Sequence, residues 1–396
     1  MDQQMPDFKI AMLSSLKEVT PSEWDRVARG PAENDSSAER NPFISHAFLS
    51  SLEDSGSASA RAGWKASHVI VRDIEGQLVG AAPAYVKSNS YGEYVFDHAW
   101  ADAFHRAGGR YYPKLQVSVP FTPVTGPRLL ADDGVAGARA ALITGLAEAA
   151  RAQNCSSIHV TFTTPEDHAA LTQSGFLARV DRQYHWINRG YTSFDGFLED
   201  LASRKRKQIR RERRDALAND VTIRRLTGSD IKEADWDAFH AFYLDTGGRK
   251  WGTPYLTRAF FSMIGERMGE DVLLIIANRA GKPIAGALNL IGSHALYGRN
   301  WGAIEHHPFL HFEVCYYQAI EFAIERGLKR VEAGAQGEHK LARGYLPAET
   351  RSAHLIAHPG LSAAVADYLE RERRAVEDMM EELSDMSPFR RDLQEG

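Results

Sequence analysis

Between residues 334 and 340 the chain reads Gly-Ala-Gln-Gly-Glu-His-Lys, which sets a carboxylate, an imidazole and an ammonium side by side behind two glycines. Glu338 or His339 could take a proton from an attacking group, the task of a general base. Gly334 and Gly337 leave backbone N–H groups free to point at a substrate, with no bulky side chain in the way. Gln336 and Lys340 add a polar and a cationic contact. The same residues also suit a tight strand-to-helix turn with a solvated Glu-His-Lys tail. The stretch lacks the GK[ST] ending of a Walker motif, so ATP hydrolysis does not follow from it.

Other side chains could converge on this turn. Glu332 sits between Val331 and Ala333 in an apolar strand, where a carboxylate must find a partner or face solvent. Arg299, in the aromatic stretch Ala295 to Trp301, is a possible partner, the two lining one cleft; an outward-facing pair is the equal alternative, since strand side chains alternate. Trp301, Trp251 and Tyr255 offer rings for substrate contact, as do Tyr111 and Tyr112, although rings at such spacing also build cores. Glu313 precedes an apolar helix and reads as a first-turn charge matched to its dipole. Pro308 interrupts any helix that would align His306, His307 and His311, and there is no HExxH, so no metal is expected. Cys155 and Cys315 have no neighbouring thiol and read as packing residues.

The segment from Arg204 to Arg214 is the most basic in the chain, with eight of its eleven residues cationic. On a helix such a run wraps nearly all faces, which favours contact with a polyanion through Arg204, Lys205, Arg206, Lys207, Arg210 and Arg211. Donor phosphates, a tRNA backbone or an anionic membrane surface would all serve. A charged connector balanced by Asp195, Glu199 and Asp200 is the other reading.

The elements that must position these residues recur. Gly76–Gly80 and Gly281–Ala285 each lie between apolar runs, the pattern of a strand hairpin. An aromatic strand follows in each half (Tyr94 to Trp100, Ala295 to Trp301), then an apolar-periodic helix (Ala138 to Ala152, Val314 to Arg326). A short strand comes next (157–161, 330–334), with His159 and Glu332 at matching positions. A last β-like segment closes each half (176–187, 354–357). The order predicts two α+β modules, each a largely antiparallel sheet flanked by helices. Expected boundaries are 1–190 for the first module, 191–220 for a basic helical connector and 221–396 for the second module with a helical tail. The halves differ in the connection Ala101 to Asp132, which is long and rich in Pro and Gly and reads as a lid or pocket wall, or as a surface loop.

Composition agrees with an ordinary globular chain of two cores: 396 residues, 43% apolar, 25% charged, net charge −5. Two cysteines fit a reducing compartment, and no export signal or apolar run long enough for a membrane helix is found, so a cytoplasmic location is expected. The negative total argues against nonspecific nucleic-acid binding by the whole surface.

The stretch from Trp251-Gly-Thr-Pro-Tyr255 through GAQGEHK to Gly344 resembles the FemAB-like family of N-acyltransferases. So do Asn41-Pro42-Phe43, Tyr111-Tyr112-Pro113-Lys114 and Pro120-Phe121-Thr122-Pro123-x-x-Gly126. The resemblance implies two tandem modules of the GNAT acetyltransferase type and transfer of an acyl or aminoacyl group to a small-molecule or peptide amine. The better-known Fem relatives extend peptidoglycan cross-bridges with aminoacyl-tRNA. It implies no tightly bound cofactor, an acyl-CoA or aminoacyl-tRNA as co-substrate, and a possible tRNA contact through the basic helix. Neither half contains the Arg/Gln-x-x-Gly-x-Gly/Ala loop by which acetyltransferases cradle coenzyme A. The donor therefore stays open, as do the oligomeric state and the alternative of a non-catalytic glycan- or peptide-recognition protein.

Overall fold

Both hairpins form where the repeated turns place them. His68–Arg72 pairs antiparallel with Leu78–Ala82, and Val272–Arg279 pairs with Lys282–Ile291. The structure, a computed structural model, describes residues 7–29, 39–250, 254–335 and 337–390, without the side chains of Arg249, Lys250 and Glu338. Three residues singled out above, Trp251, Gln336 and the Glu338 side chain, lie outside what is described.

The chain divides into two compact units, Met1–Asp181 with Thr350–Val376, and Arg182–Glu349 with Glu377–Gly396. Neither is contiguous in sequence. In the first, Lys114–Val117 and Ser157–Thr163 run parallel and are joined by the helix Ala138–Ala152. In the second, Ala295–Ala303 and Arg330–Glu332 run parallel and are joined by a helical run ending in Gln318–Glu325. A parallel pair needs such a crossover, so the recurring helix is the signature of the repeat. The strand flanking each parallel pair is antiparallel and comes from the other half of the sequence: residues 351–356 pair with Ser157–Thr163, and residues 185–187 pair with Arg330–Glu332. The segments expected to close their own halves are thus exchanged.

The first unit also holds a four-stranded sheet, Lys9–Leu13, His68–Arg72, Leu78–Ala82 and Leu130–Ala131 in that order. Its main core lies between strands and the helix Ala138–Ala152, where Leu142, Leu146 and Ala149 meet Leu115, Val117 and Val160. The second unit buries Leu273, Ile275, Leu296 and Val331 with Tyr317 and Ile320.

Two expectations fail in the first unit. Tyr94 to Trp100 is no strand: Tyr94 takes φ 59°, and a helix, His98–Arg106, begins behind Asp97. Asp97 is drawn inward by Lys114, and the backbone turns to deliver it. The connection Ala101 to Asp132, read as a lid or pocket wall or as a surface loop, is not a surface loop over most of its length, because it contributes the buried strand Lys114–Val117 and buries Arg128, whose guanidinium bonds the carbonyls of Thr161 and Val124. Tyr111 is buried as well and donates to Asp97 at 2.7 Å, which removes it from the exposed stacking rings.

In the second unit the helix Glu233–Lys250 runs so close to Ala295–Ala303 that a Cβ on Gly302 would run into the Phe242 backbone. Backbone cannot swing aside as a side chain can, so Gly302→Ala should lower stability by about 1–3 kcal/mol. Urea denaturation of the full chain checks this.

Candidate functional site

The turn that carries the adjacent Glu, His and Lys folds as a short helical run, Glu338–Arg343, directly after the strand Arg330–Glu332. Gly337 enters it at φ 102°, a region closed to most side chains, and a Cβ there would strike the His339 imidazole. The glycine is what allows the ring to lie back over the turn. His339 is exposed, and its Nε2 lies 3.0 Å from the Tyr316 hydroxyl.

Lys340 points the other way. It is buried, and its ammonium donates to the carbonyls of Ala333 and Gly334, so it fastens the turn to the end of the strand. Burial pulls its pKa down to about 8. Glu332 is buried also, and it pairs with Arg330 at 2.9 Å, with His185 at 3.8 Å, where Arg299 had been a possible partner. Arg330 stands two residues away on the same strand and face, which makes it the nearer guanidinium. Arg299 is half-buried in the neighbouring strand.

Trp301 joins the neighbourhood of His339 through His311: the Trp301 and His311 rings are 5.2 Å apart, and His311 and His339 6.1 Å. Phe312 lies 5.4 Å from His339. Tyr255 is held by its backbone N–H, which donates to the Tyr243 hydroxyl at 3.0 Å.

The Tyr316 hydroxyl reaches His339 from an irregular turn. Glu313–Tyr317 is a π-helix, one wide turn between Leu310–Phe312 and Gln318–Glu325. Such insertions re-aim side chains and collect at functional sites. Glu313 does stand in the first turn, and it is fully buried, accepting from Arg213 at 3.0 and 3.1 Å and from Gln318 at 2.7 Å. An ionised side chain can be buried there because a guanidinium comes with it.

Arg213 belongs to the basic helix, Ser203–Ala216. Far from presenting charge on all faces, this helix has an inner stripe of Ile209, Glu212, Arg213 and Ala216, at helical spacing. Glu212 is the anchor. Its carboxylate takes Arg343 in a bidentate pair at 2.8 and 3.1 Å, and Tyr317 donates to it as well. Arg343 ends the turn that bears His339, lies with its guanidinium carbon 3.4 Å from the Phe312 ring centre, and donates to the His339 carbonyl at 2.6 Å. One buried carboxylate therefore fixes the basic helix, the π-turn and the His339 turn to each other.

The outward side of that helix keeps its charge. Arg210 pairs with Asp195 and Arg211 with Asp215, both in the open. Asp200 accepts from Tyr191 instead of from the helix. Among the described residues no acid pairs with Arg204, Lys205, Arg206 or Lys207, which begin the helix. The sequence did not single out Glu212, Arg343, Tyr316 or Tyr317. The signal was there for the first: Glu212 is the only acid in a run of cations and stands three residues beyond the only aliphatic one.

Glu212→Leu leaves Arg343 buried without a counter-charge and should cost about 3–5 kcal/mol, as should Arg343→Leu. The double replacement should cost much less than the sum, and a double-mutant cycle in urea measures the difference.

The FemAB-like family, described as peptidoglycan biosynthesis/recognition, matches residues 15–391. Among solved structures the chain is similar to FemX, at 13% identity and a TM-score of 0.54, covering 88% of this chain and 98% of that one. It is similar also to L-PGS from Bacillus licheniformis, at 9% identity and a TM-score of 0.50, covering 84% and 98%. A tandem GNAT protein from the clavulanic acid biosynthesis pathway aligns over 89% of this chain and 99% of its own at 14% identity and a TM-score of 0.48. No curated protein matches. Among the described residues no helix is long and apolar enough to cross a membrane. The fold is α+β with two tandem GNAT-like modules, and the chain belongs to the FemAB-like family of peptidoglycan biosynthesis and recognition.

Proposed function

We propose that the protein transfers an acyl or aminoacyl group from an activated donor to an amine, with the His339 turn as its chemical centre and the basic helix as the seat of an anionic donor. The observation that carries this reading is the Glu212–Arg343 pair, which makes the turn and the helix one rigid piece. Acylation of an amine needs a base for the ammonium proton, donors for the carbonyl oxygen as it becomes an oxyanion, and a fixed relation between donor and acceptor.

His339 supplies the base in this scheme. Its imidazole is exposed, and the Tyr316 hydroxyl holds it in place. With Nε2–H donating to that hydroxyl, the lone pair of the neutral ring lies on Nδ1, and this is the tautomer that can take a proton from the amine. Glu338, adjacent in sequence, is the second candidate for the base. Lys340 holds the turn and does not contact substrate in this reading; Glu332 acts through Arg330. Trp301 and His311 form a ring surface beside the base for the acceptor or the acyl chain. The donor, acyl-CoA or aminoacyl-tRNA, brings phosphates to Arg204, Lys205, Arg206 and Lys207. No tightly bound cofactor takes part.

The test is mass spectrometry of the intact protein with a panel of acyl-CoAs and charged tRNAs, followed by a search for an acylated amine. A bound donor consumed on adding amines supports transfer, whereas ligand binding with no product from any donor means recognition without chemistry. His339→Asn should lower kcat by about 10²–10⁴ while donor affinity holds, and Glu338→Gln run beside it decides between the two bases. Replacing Arg204 and Lys207 by Gln should weaken donor binding and flatten its salt dependence, by roughly one unit of log–log slope for each phosphate that is no longer neutralised. Titration of donor binding at several salt concentrations reads this directly.

A further inference from the structure

In the first unit the chain leaves one strand at Lys87 and enters the next at Lys114, and these two residues are Cα partners at the ends of Ala84–Lys87 and Lys114–Val117. Antiparallel neighbours need only a short turn between them. Here residues 88–113 intervene, as an excursion closed on itself: the Tyr112 hydroxyl lies 2.8 Å from Ser90 Oγ, and Tyr111 donates to Asp97 at 2.7 Å. Its middle is the helix His98–Arg106.

The side chains of this excursion are sorted by charge. Glu93 and Asp97, two of its three acids, are 4% and 2% exposed and bond the Lys114 ammonium in the sheet beneath. Asp102, the third, is exposed. The rings face the other way: Tyr91 and Phe96 are 65% and 61% exposed, and Tyr94 39%. The His98 imidazole lies 6.4 Å from the Tyr91 ring and 6.3 Å from that of Phe96, so these side chains form one patch. Arg106 and Arg110 are exposed, and among the described residues neither has an acid partner. Arg106 ends the helix that His98 begins, about 12 Å along its axis. Arg110 stands two residues before Tyr112, whose hydroxyl meets Ser90, next to Tyr91.

Folding gains nothing from large apolar side chains left in the open, and a cluster of them marks a surface with a partner. The buried ion pairs hold this patch outward, because turning its rings in would carry Glu93 and Asp97 away from Lys114. Other exposed apolar side chains have a different setting: Ile74 lies between Asp73 and Glu75, Ile304 precedes Glu305, and Met386 follows Asp385. Guanidinium groups without acid partners beside bare rings suit a partner that is anionic at its surface and apolar just beneath, which describes a bilayer containing acidic lipids. A single-stranded nucleic acid fits less well, because its successive bases stack on rings set apart along a cationic groove, and here the rings crowd around one imidazole.

We infer that residues 88–113 dock the protein on the face of an anionic bilayer. Tyr91, Tyr94 and Phe96 enter the headgroup region, and Arg106 and Arg110 meet lipid phosphates. Three rings and two cations make a reversible contact, one that weakens as salt rises. The inference rests on the first unit alone and not on the transfer proposed for the second.

Flotation of the full chain tests it, with vesicles of phosphatidylcholine alone and of phosphatidylcholine and phosphatidylglycerol in equal parts. Hydrogen–deuterium exchange with and without the anionic vesicles maps the contact, and a single-stranded RNA is run as the competing polyanion. Expected are flotation with the anionic vesicles only, slower exchange in residues 88–113, and no protection of those residues by RNA. Tyr91→Ser with Phe96→Ser, and Arg106→Gln with Arg110→Gln, should each lower partitioning by about tenfold, with the melting temperature checked. Should one pair fail to fold, the other pair and the exchange map of the unaltered chain decide. The proposal is overturned if neither vesicle carries the protein, if phosphatidylcholine alone serves as well, if protection falls on residues 203–216 instead, if RNA protects 88–113, or if both double variants float as the unaltered chain does.

Discussion

The second unit is organised around a carboxylate that has no business being buried alone. Glu212 sits at 3% exposure on a helix otherwise crowded with cations, and three partners, Arg343, Tyr317 and Gln208, share its oxygens. Taking such a group out of water is costly, and the cost is offset only if every lone pair finds a donor in good geometry. That requirement couples three elements far apart in sequence: helix Ser203–Ala216, the π-turn Glu313–Tyr317 and the turn Glu338–Arg343. Arg213 with Glu313 repeats the device one residue along the helix. The basic helix can therefore carry its outer cations without drifting, because its inner face is locked by charge as well as by Ile209.

A pair of this kind contributes less to stability than a well-packed apolar substitute would, and its value lies in specificity of position. Leu and Phe side chains at 212 and 343 could slide; a bidentate guanidinium–carboxylate contact fixes both distance and rotation. For a turn whose exposed imidazole must meet a substrate within a few tenths of an ångström, rotation matters as much as distance. The π-turn serves the same end by setting Tyr316 and Tyr317 toward different partners, His339 and Glu212, from consecutive positions. An ordinary α-helix separates consecutive side chains by about 100°, and the widened turn places both hydroxyls without breaking the helix.

Much of the fold was legible because it rests on periodicity. The two hairpins, the crossover helices and the short strands that follow them are local patterns, and each formed within a few residues of its expected place. What local pattern cannot carry is the identity of a partner. The segments 176–187 and 354–357 read correctly as β, but nothing in their own residues says that each completes the sheet of the other half. Tyr94 to Trp100 looked like a strand because apolar and polar residues mix there; its conformation is set by Asp97 finding Lys114, a residue 17 positions away. Lys114 was itself invisible as a core residue, since a lysine is expected outside. At the candidate site the polar residues of the GAQGEHK turn stand out because they are adjacent in sequence, whereas Glu332 meets Arg330, two residues away on its own strand, and Arg343 was not singled out because its ion pair with Glu212 crosses elements and leaves no spacing signal.

The two units use polar residues differently, and this follows from their sheets. In the second, the strands Val272–Arg279 and Lys282–Ile291 bury mostly apolar side chains on both faces, and the buried charges Glu212 and Glu313 come from helices, with Glu332 held in a strand by Arg330. In the first, one face of the strands Ala84–Lys87, Lys114–Val117 and Ser157–Thr163 is given over to polar side chains and then covered. A sheet face of that composition gains little from burial by the hydrophobic effect and loses the hydration of its charges. Lys87 and Lys114 are fully buried there and would be costly without counter-charges. Glu93 and Asp97 provide them from residues 88–97, so in this unit, as around Glu212 in the other, buried ion pairs fix the position of a covering segment over the strands beneath it.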